Sequence, residues 1–198
     1  MLANKNILMI KSFLGVMRGN DKEIDIILPK MYVKDVYNIN YDFLKHRNLT
    51  NLIFDIDNTI LPVGGMNVPD ELISLFKKLR KDFNICLVSN NTKERVIPIA
   101  DSLEIECMYL ANKPKEETFD RTLEILCSNR KNTVMVGDQM LSDIKGANMY
   151  GIYTIMVDPV SNKHNIKTLV ARILQKLMIK KIKKKGVFVE KKYYEKEM

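Results

Sequence analysis

The sequence predicts one α/β domain, over residues 49–160, built around a central parallel sheet of about five strands. Three observations carry that prediction. From about residue 51, short apolar runs alternate with longer amphipathic ones, the pattern of repeated βα units. The chemically distinctive residues fall where successive apolar runs end. Finally, 198 residues with 46% hydrophobic content suffice for one complete core but not for two of full size.

Taken in chain order, residues 1–48 read as an N-terminal extension packed on the core, with two apolar segments. The first, Ile7 to Met17, is interrupted by Lys11 and falls short of the ~20 residues needed to cross a bilayer. It does not read as a secretory signal, and it rests either on a membrane or on the domain. The second is Pro29 to Val33. Strands are expected at Asn51 to Asp55, Asn84 to Ser89, Cys107 to Leu110, Thr133 to Gly137 and Tyr153 to Val157. Helices are expected between them at residues 69–80, 93–102, 116–129 and 142–150, where apolar residues recur at helical spacing opposite Lys and Glu. Pro69 and Pro114 sit where two of these helices start, a position that suits a residue with fixed φ and no N–H. Right-handed crossovers then bring the loops after each strand to one edge of the sheet. Residues 161–198 form a basic C-terminal helix and tail.

The formal net charge of +8 and a pI near 9.3 favour anionic partners, although the Lys, Asn and Ile richness also fits a drift in base composition. Cys86, Cys107 and Cys127 are far apart and form no CxxC pair, so neither a disulfide framework nor a zinc site is indicated. They read as small buried residues of two strands and a helix in a reducing, cytoplasmic setting. Two histidines, His46 and His164, give little material for a His-based metal cluster or a Ser-His-Asp triad. Carboxylate chemistry is the main option left.

Four clusters carry that chemistry. An apolar strand running into Asp55-Ile56-Asp57 places two carboxylates at a sheet edge, where their repulsion needs a cation or donors; Mg²⁺ with its oxygen ligands supplies one. Asp55 can then attack phosphorus, and Asp57 can protonate the leaving oxygen and later activate water. A turn or helix cap explains Asp57 and Asn58 equally well in isolation. Ser89 and Asn90, beyond the second strand, can donate to phosphate oxygens or cap the next helix. Lys113, between the third strand and a Pro-started helix, can neutralise charge on a transferring phosphoryl group. In Gly137-Asp138 through Asp143, the glycine permits close backbone approach, Asp138 follows a buried strand as a metal ligand does, and Asp143 can hold metal waters or Lys113.

In this order, DIDNT, SNN, the KP lysine and GDQMLSD followed by IKGAN resemble the haloacid dehalogenase (HAD) superfamily of phosphohydrolases across roughly residues 50–158. LPKMYVKDVYNIN ahead of FDIDNTI narrows the resemblance to subfamily IIIA and its YqeG-like members, relatives of the mitochondrial phosphatidylglycerophosphate phosphatases. The resemblance implies a three-layer Rossmann-like fold and an Mg²⁺-dependent phosphatase acting through an aspartyl-phosphate. Asp55 is then the nucleophile and Asp57 the acid/base. Ser89, Asn90 and Lys113 contact phosphate, while Asp55, the Asp57 backbone carbonyl and Asp138 bind metal, with Thr59 and Asp143 in support. Where relatives carry Trp or another bulky residue after the DxDxT turn, this chain has Pro62-Val63-Gly64-Gly65.

Only about thirty residues separate Asp57 from Ser89, and about two dozen separate Ser89 from Lys113, which one helix and its loops consume. The sequence thus predicts no cap domain and a site open to phosphates on large or interfacial bodies. The run ARILQKLMIKKIKKK, ending at Lys185, spaces Leu174, Leu177, Met178 and Ile182 on one helical face with lysines opposite. It suits docking on the domain, peripheral contact with an anionic membrane at its inner face, or RNA. The expected partner is a phosphorylated substrate, with a lipid head group as the first choice. Rival readings are a protein or nucleic-acid-end phosphatase and a phosphate-sensing or RNA-binding module without turnover.

Overall fold

The computed structural model describes residues 2–162 and 166–195; His164 and the ends of the expected tail lie outside them. Eight helices are described, α1 (Leu2–Arg18), α2 (Asp21–Ile27), α3 (Tyr41–His46), α4 (Asp70–Leu79), α5 (Lys93–Leu103), α6 (Glu116–Ile125), α7 (Lys145–Tyr150) and α8 (Ile166–Lys184). The strands are β1 (Met31–Val33), β2 (Asn51–Phe54), β3 (Asn84–Val88), β4 (Glu106–Met108), β5 (Thr133–Gly137), β6 (Tyr153–Val157) and β7 (Tyr194–Glu195). They form one sheet in the order β4-β3-β2-β5-β6-β1-β7. All pairs are parallel except β1 with β7.

The five expected strands are β2 to β6, and two short ones extend the sheet beyond them. β1 joins β6, with Met31 opposite Ile155, and β7 covers β1 in turn. A three-residue strand carries no readable period, and its partner lies more than a hundred residues away, so neither placement was legible locally. Covering an open edge with chain termini also removes a template for aggregation.

Both faces of the sheet are buried, and alternate strand residues feed different cores. Leu52, Phe54, Leu87 and Val136 meet α4 and α5 through Phe76, Val96 and Ile99. Ile53, Cys86 and Met135 face the other way, onto Phe119 of α6 and Ala147 and Tyr150 of α7. On that second face a further cluster joins Val16 of α1, Ile24 and Ile27 of α2, and Met178, Ile179 and Ile182 of α8.

The ends of the chain depart most from expectation. The first apolar segment is part of a 17-residue helix, α1, which packs against α8. Their C-terminal ends are tied where Lys185 Nζ donates to Gly19 O at 3.2 Å and meets Asp21 Oδ1 at 3.1 Å. The buried face of α8 is rotated from the predicted one: Met178 and Ile182 are buried, but Leu174 is half-exposed and Leu177 is 44% exposed, and Arg172 and Gln175 turn inward instead. A long buried arginine is invisible to an apolar periodicity. Cysteine burial also needs correction, since Cys86 is buried, Cys107 is half-buried and Cys127 is exposed. Cys127 lies beyond α6 at φ +46°, a left-handed turn that stops this helix short of the predicted Asn129. Among the described residues, no helix is long and apolar enough to cross a membrane.

Candidate active site

The strand order reverses between β2, which leads outward to β3 and β4, and β5, which leads to β6; open α/β sheets place ligands at such a crevice. Asp55 follows β2 and Asp138 follows β5, and the two strand ends are joined by the bond from Asp55 N to Val136 O at 3.0 Å. A pair of carboxylates far apart in sequence therefore sits side by side. Asp55, Asp138 and Asp143 each offer an oxygen within 4.8 Å of the others, and all three are buried.

The turn after Asp55 is built by the Ile56 carbonyl, which accepts from the N–H groups of Thr59, Ile60 and Leu61. Asn58 takes φ +63°, and its side chain accepts from Ser161 N at 3.1 Å and Ser161 Oγ at 2.8 Å. The loop after β6 is thus latched onto the loop after β2. Thr59 Oγ1 donates to Asp55 Oδ2 at 3.4 Å.

Lys113 enters from the β4–α6 loop. Its Nζ lies 2.6 Å from Asp55 Oδ1 and 2.9 Å from Asp143 Oδ1, and its side chain is 2% exposed. Burial alone would lower its pKa, but Asp143 and Asp55 reverse that and hold the ammonium above its usual range. Asn90 brackets the lysine backbone, accepting from Lys113 N at 2.8 Å and donating to Lys113 O at 3.4 Å. Its side-chain amide therefore positions the lysine. Ser89 is fully buried, and its Oγ accepts from Asn91 Nδ2 at 2.9 Å. Asn91 Nδ2 also donates to Asp57 Oδ2 at 2.8 Å, linking the second cluster to the first.

Asp143 is locked by a close fit. Its Oδ2 accepts from Gln139 N at 3.1 Å, and a Cβ at Gly137 would lie 2.5 Å from Asp143 Cβ and 2.6 Å from its carboxylate. Only glycine fits there without displacing the acid. The chain from Met140 to Ile144 forms a π-turn, a distortion often found at functional sites. Gly146 has a similar task in α7: a Cβ there would come within 2.7 Å of Pro114 Cβ, so the helix could not pack against the lysine loop.

Two arginines that the motif reading passed over complete the site. Arg95, in the first turn of α5, pairs with Asp57 Oδ1 and donates to Gly65 O at 2.6 Å, which secures the loop that departs from the bulky family pattern. Arg172 of α8 pairs with Asp138 Oδ2. Gln175, one turn on, accepts from Met140 N at 3.0 Å. The available signal for Arg95 was its place just beyond the SNN segment; Arg172 was masked by its lysine-rich surroundings.

The inner cluster holds three carboxyl groups against two cations, Lys113 and Arg172, so with all three ionised one negative charge is unmatched. Burial pushes Asp55 up to about 6 against the pull of Lys113, and pushes Asp138 up to about 8 against the pull of Arg172. Asp138 Oδ1 is buried without a hydrogen-bond donor. Hard, anionic oxygens around a charge-deficient point fit a divalent cation of the Mg²⁺ class. Asp57 lies outside this cluster, is less buried, and has its charge balanced by Arg95.

The structure thus brings Asp55, Thr59, Lys113, Asp138 and Asp143 together, joins Asp57 to Ser89 through Asn91, and sets the Asn90 side chain on the Lys113 backbone.

Known proteins resemble this chain in sequence and in fold. A family model described as HAD-hydrolase-like matches residues 110–175. The chain is 32% identical to the probable phosphatase YqeG of Bacillus subtilis over 160 residues, covering 80% of this chain and 93% of that protein. It is 25% identical over 150 residues to phosphatidylglycerophosphate phosphatase 1, chloroplastic/mitochondrial, of Arabidopsis thaliana, covering 71% of this chain but 43% of that longer protein. Among solved structures, magnesium-bound HAD-hydrolase YfnB of Bacillus subtilis shares the fold with a TM-score of 0.50 at 14% identity, covering 60% of this chain and 90% of that one.

Proposed function

Because the chain belongs to the HAD family of hydrolases and is a phosphatase of the YqeG kind, we propose that it hydrolyses phosphomonoesters through an aspartyl-phosphate on Asp55, with Mg²⁺ as cofactor. The observation that carries this reading is the single buried network of Asp55, Lys113, Asp143 and Asp138. Asp55, the Asp57 backbone carbonyl and Asp138 are the residues assigned to the metal, which when bound would neutralise phosphate charge and hold the phosphoryl group against Asp55.

An Asp55 carboxylate oxygen attacks phosphorus, and the bond from phosphorus to the alcohol oxygen breaks. Asp57, protonated for this step, gives its proton to the departing oxygen. Asp57 then takes a proton from water as that water attacks phosphorus, which breaks the acyl-phosphate bond and returns Asp55 with inorganic phosphate. Arg95 and Asn91 hold Asp57 in place for both steps. Lys113 holds Asp55 as a carboxylate and faces the equatorial oxygens of the phosphoryl group, which Ser89 and the backbone of the Asn90 loop help to bind.

For substrate, the Arabidopsis relative's name makes phosphatidylglycerophosphate the first to try. The outer face of α8 supports an interfacial substrate: Leu169, Val170, Ile173 and Leu177 are exposed apolar residues next to Lys176, Lys180 and Lys184. An amphipathic face of that composition suits an anionic bilayer. The segment from Asp57 to Ser89 holds one helix, α4, consistent with an uncapped site. The test is a panel of phosphatidylglycerophosphate in micelles, phosphopeptide, 3′-phosphate DNA and an aryl phosphate, each with and without Mg²⁺. Preferred turnover of the lipid, dependent on Mg²⁺, is expected. Preference for the peptide or DNA would move the substrate to those classes, and no turnover of any would leave a binding module.

A further inference from the structure

We infer that Arg172 is a positioning residue for the metal site, and that cation binding is thereby coupled to the seating of the last helix. The inference rests on the Mg²⁺ reading above and adds to it a residue from outside the four sequence clusters.

Three observations converge on it. Among the described side chains of α8, Arg172 is the one cation that turns fully inward, with its side chain 7% exposed, whereas Lys176, Lys180, Lys183 and Lys184 lie on the exposed side. Its guanidinium takes Oδ2 of Asp138 and leaves Oδ1 buried without a donor, on a carboxylate grouped with those of Asp55 and Asp143. Gln175 grips the same strand end from the next turn. Its Oε1 accepts from Met140 N at 3.0 Å and its Nε2 reaches Asp138 O at 3.5 Å. One helix face thus fixes both the carboxylate and the backbone of the segment that carries it.

The physical consequence follows from two facts. A carboxylate free to rotate must be ordered when metal binds, and an outer partner that fixes its orientation removes that cost; loss of such partners typically weakens metal affinity about 10–100-fold. The arginine also places a positive charge near the cation, which opposes binding. Orientation outweighs repulsion here because three carboxylates already face the site, so the deficit is in order and not in negative charge. By linkage, a cation that prefers the ordered Asp138 must also favour the seated helix. The apolar part of α8, Met178, Ile179 and Ile182, anchors it on α1 and α2, while the Arg172 end is the part whose seating the site controls.

The experiment measures Mg²⁺ affinity calorimetrically, without substrate, on the full chain and on R172K, R172M and Q175M. Wild type is expected to bind most tightly, R172M about 10–100-fold more weakly, and R172K in between, because lysine restores the charge but not the planar fork. In parallel, Mg²⁺ should slow hydrogen exchange in the first turns of α8 in the wild type and do so much less in R172M. If R172M proves unfolded, R172K and Q175M carry the same comparison. Affinity in folded variants equal to or tighter than wild type overturns the inference alone. Absence of Mg²⁺ binding by the wild type overturns the metal reading together with it.

Discussion

The two ends of the candidate active site handle charge in opposite ways. At the inner end, Asp55, Asp138 and Asp143 are buried together with fewer cations than carboxylates, and burial holds Asp55 and Asp138 above the usual carboxylate range. At the outer end, Asp57 is 18% exposed and balanced by Arg95. The difference fits the division of labour proposed above: a dry end short of positive charge for a cation and the nucleophile, and a more exposed, balanced end for the group that exchanges protons. Buried carboxylates in excess of the cations that pair with them are a destabilising arrangement, so the excess at the inner end points to use.

The sharpest way to break this comparison is to remove one acid from each end. Asp55→Asn should keep the circular dichroism of the wild type and lose turnover by at least about 10⁴-fold, as expected for a covalent nucleophile. Asp57→Asn should cost about 10²–10⁴-fold, the range of a general acid/base, and should leave Mg²⁺ affinity nearly unchanged. Equal losses of affinity in both variants would merge the two ends.

Next in size is Lys113→Met. It strands two buried carboxylates, and breaking a buried pair from one side costs about 3–5 kcal/mol. Thermal unfolding should show that loss without Mg²⁺ and recover part of it with Mg²⁺ present. Unfolding that Mg²⁺ leaves unchanged would mean that no cation compensates the inner end.

Arg95→Met is a smaller perturbation of the outer end. It should lower kcat about 10-fold or more at unchanged Mg²⁺ affinity, the mirror image of the result expected for R172M. A loss of metal affinity would show that Arg95 serves the inner end instead. The smallest effect belongs to the outer face of α8. Charge reversal of Lys180 and Lys184 should weaken co-sedimentation with anionic vesicles by about 1 kcal/mol for each lysine removed, while turnover of a soluble aryl phosphate stays constant. Binding insensitive to these changes would remove the bilayer from the substrate argument.

Much of the candidate site is legible in the sequence. Asp55, Asp57, Ser89 and Asp138 stand at or just beyond strand ends, with Lys113 and Asp143 in the segments that follow, and an apolar run interrupted by polar residues is a local pattern that survives in a linear string. Gly137 was legible as a close-approach position, although the partner it approaches, Asp143, could be named only from packing. Asn90 shows where local reading runs out. Its place after β3 suggested phosphate, but its side chain holds the Lys113 backbone, a contact set by how two loops meet.

The sequence by itself determined the βα alternation, the edge on which the chemistry gathers, and the order of the four clusters, because strand and helix periods and strand-end residues are properties of neighbours along the chain. Tertiary structure decided the rest. It set β1 beside β6, turned α8 so that Arg172 reaches Asp138, and paired Arg95 with Asp57. Each of these depends on which surfaces meet across more than thirty residues of intervening chain. A cation among many looks the same in a string whether it ends in solvent or against a buried acid; only its burial separates the two.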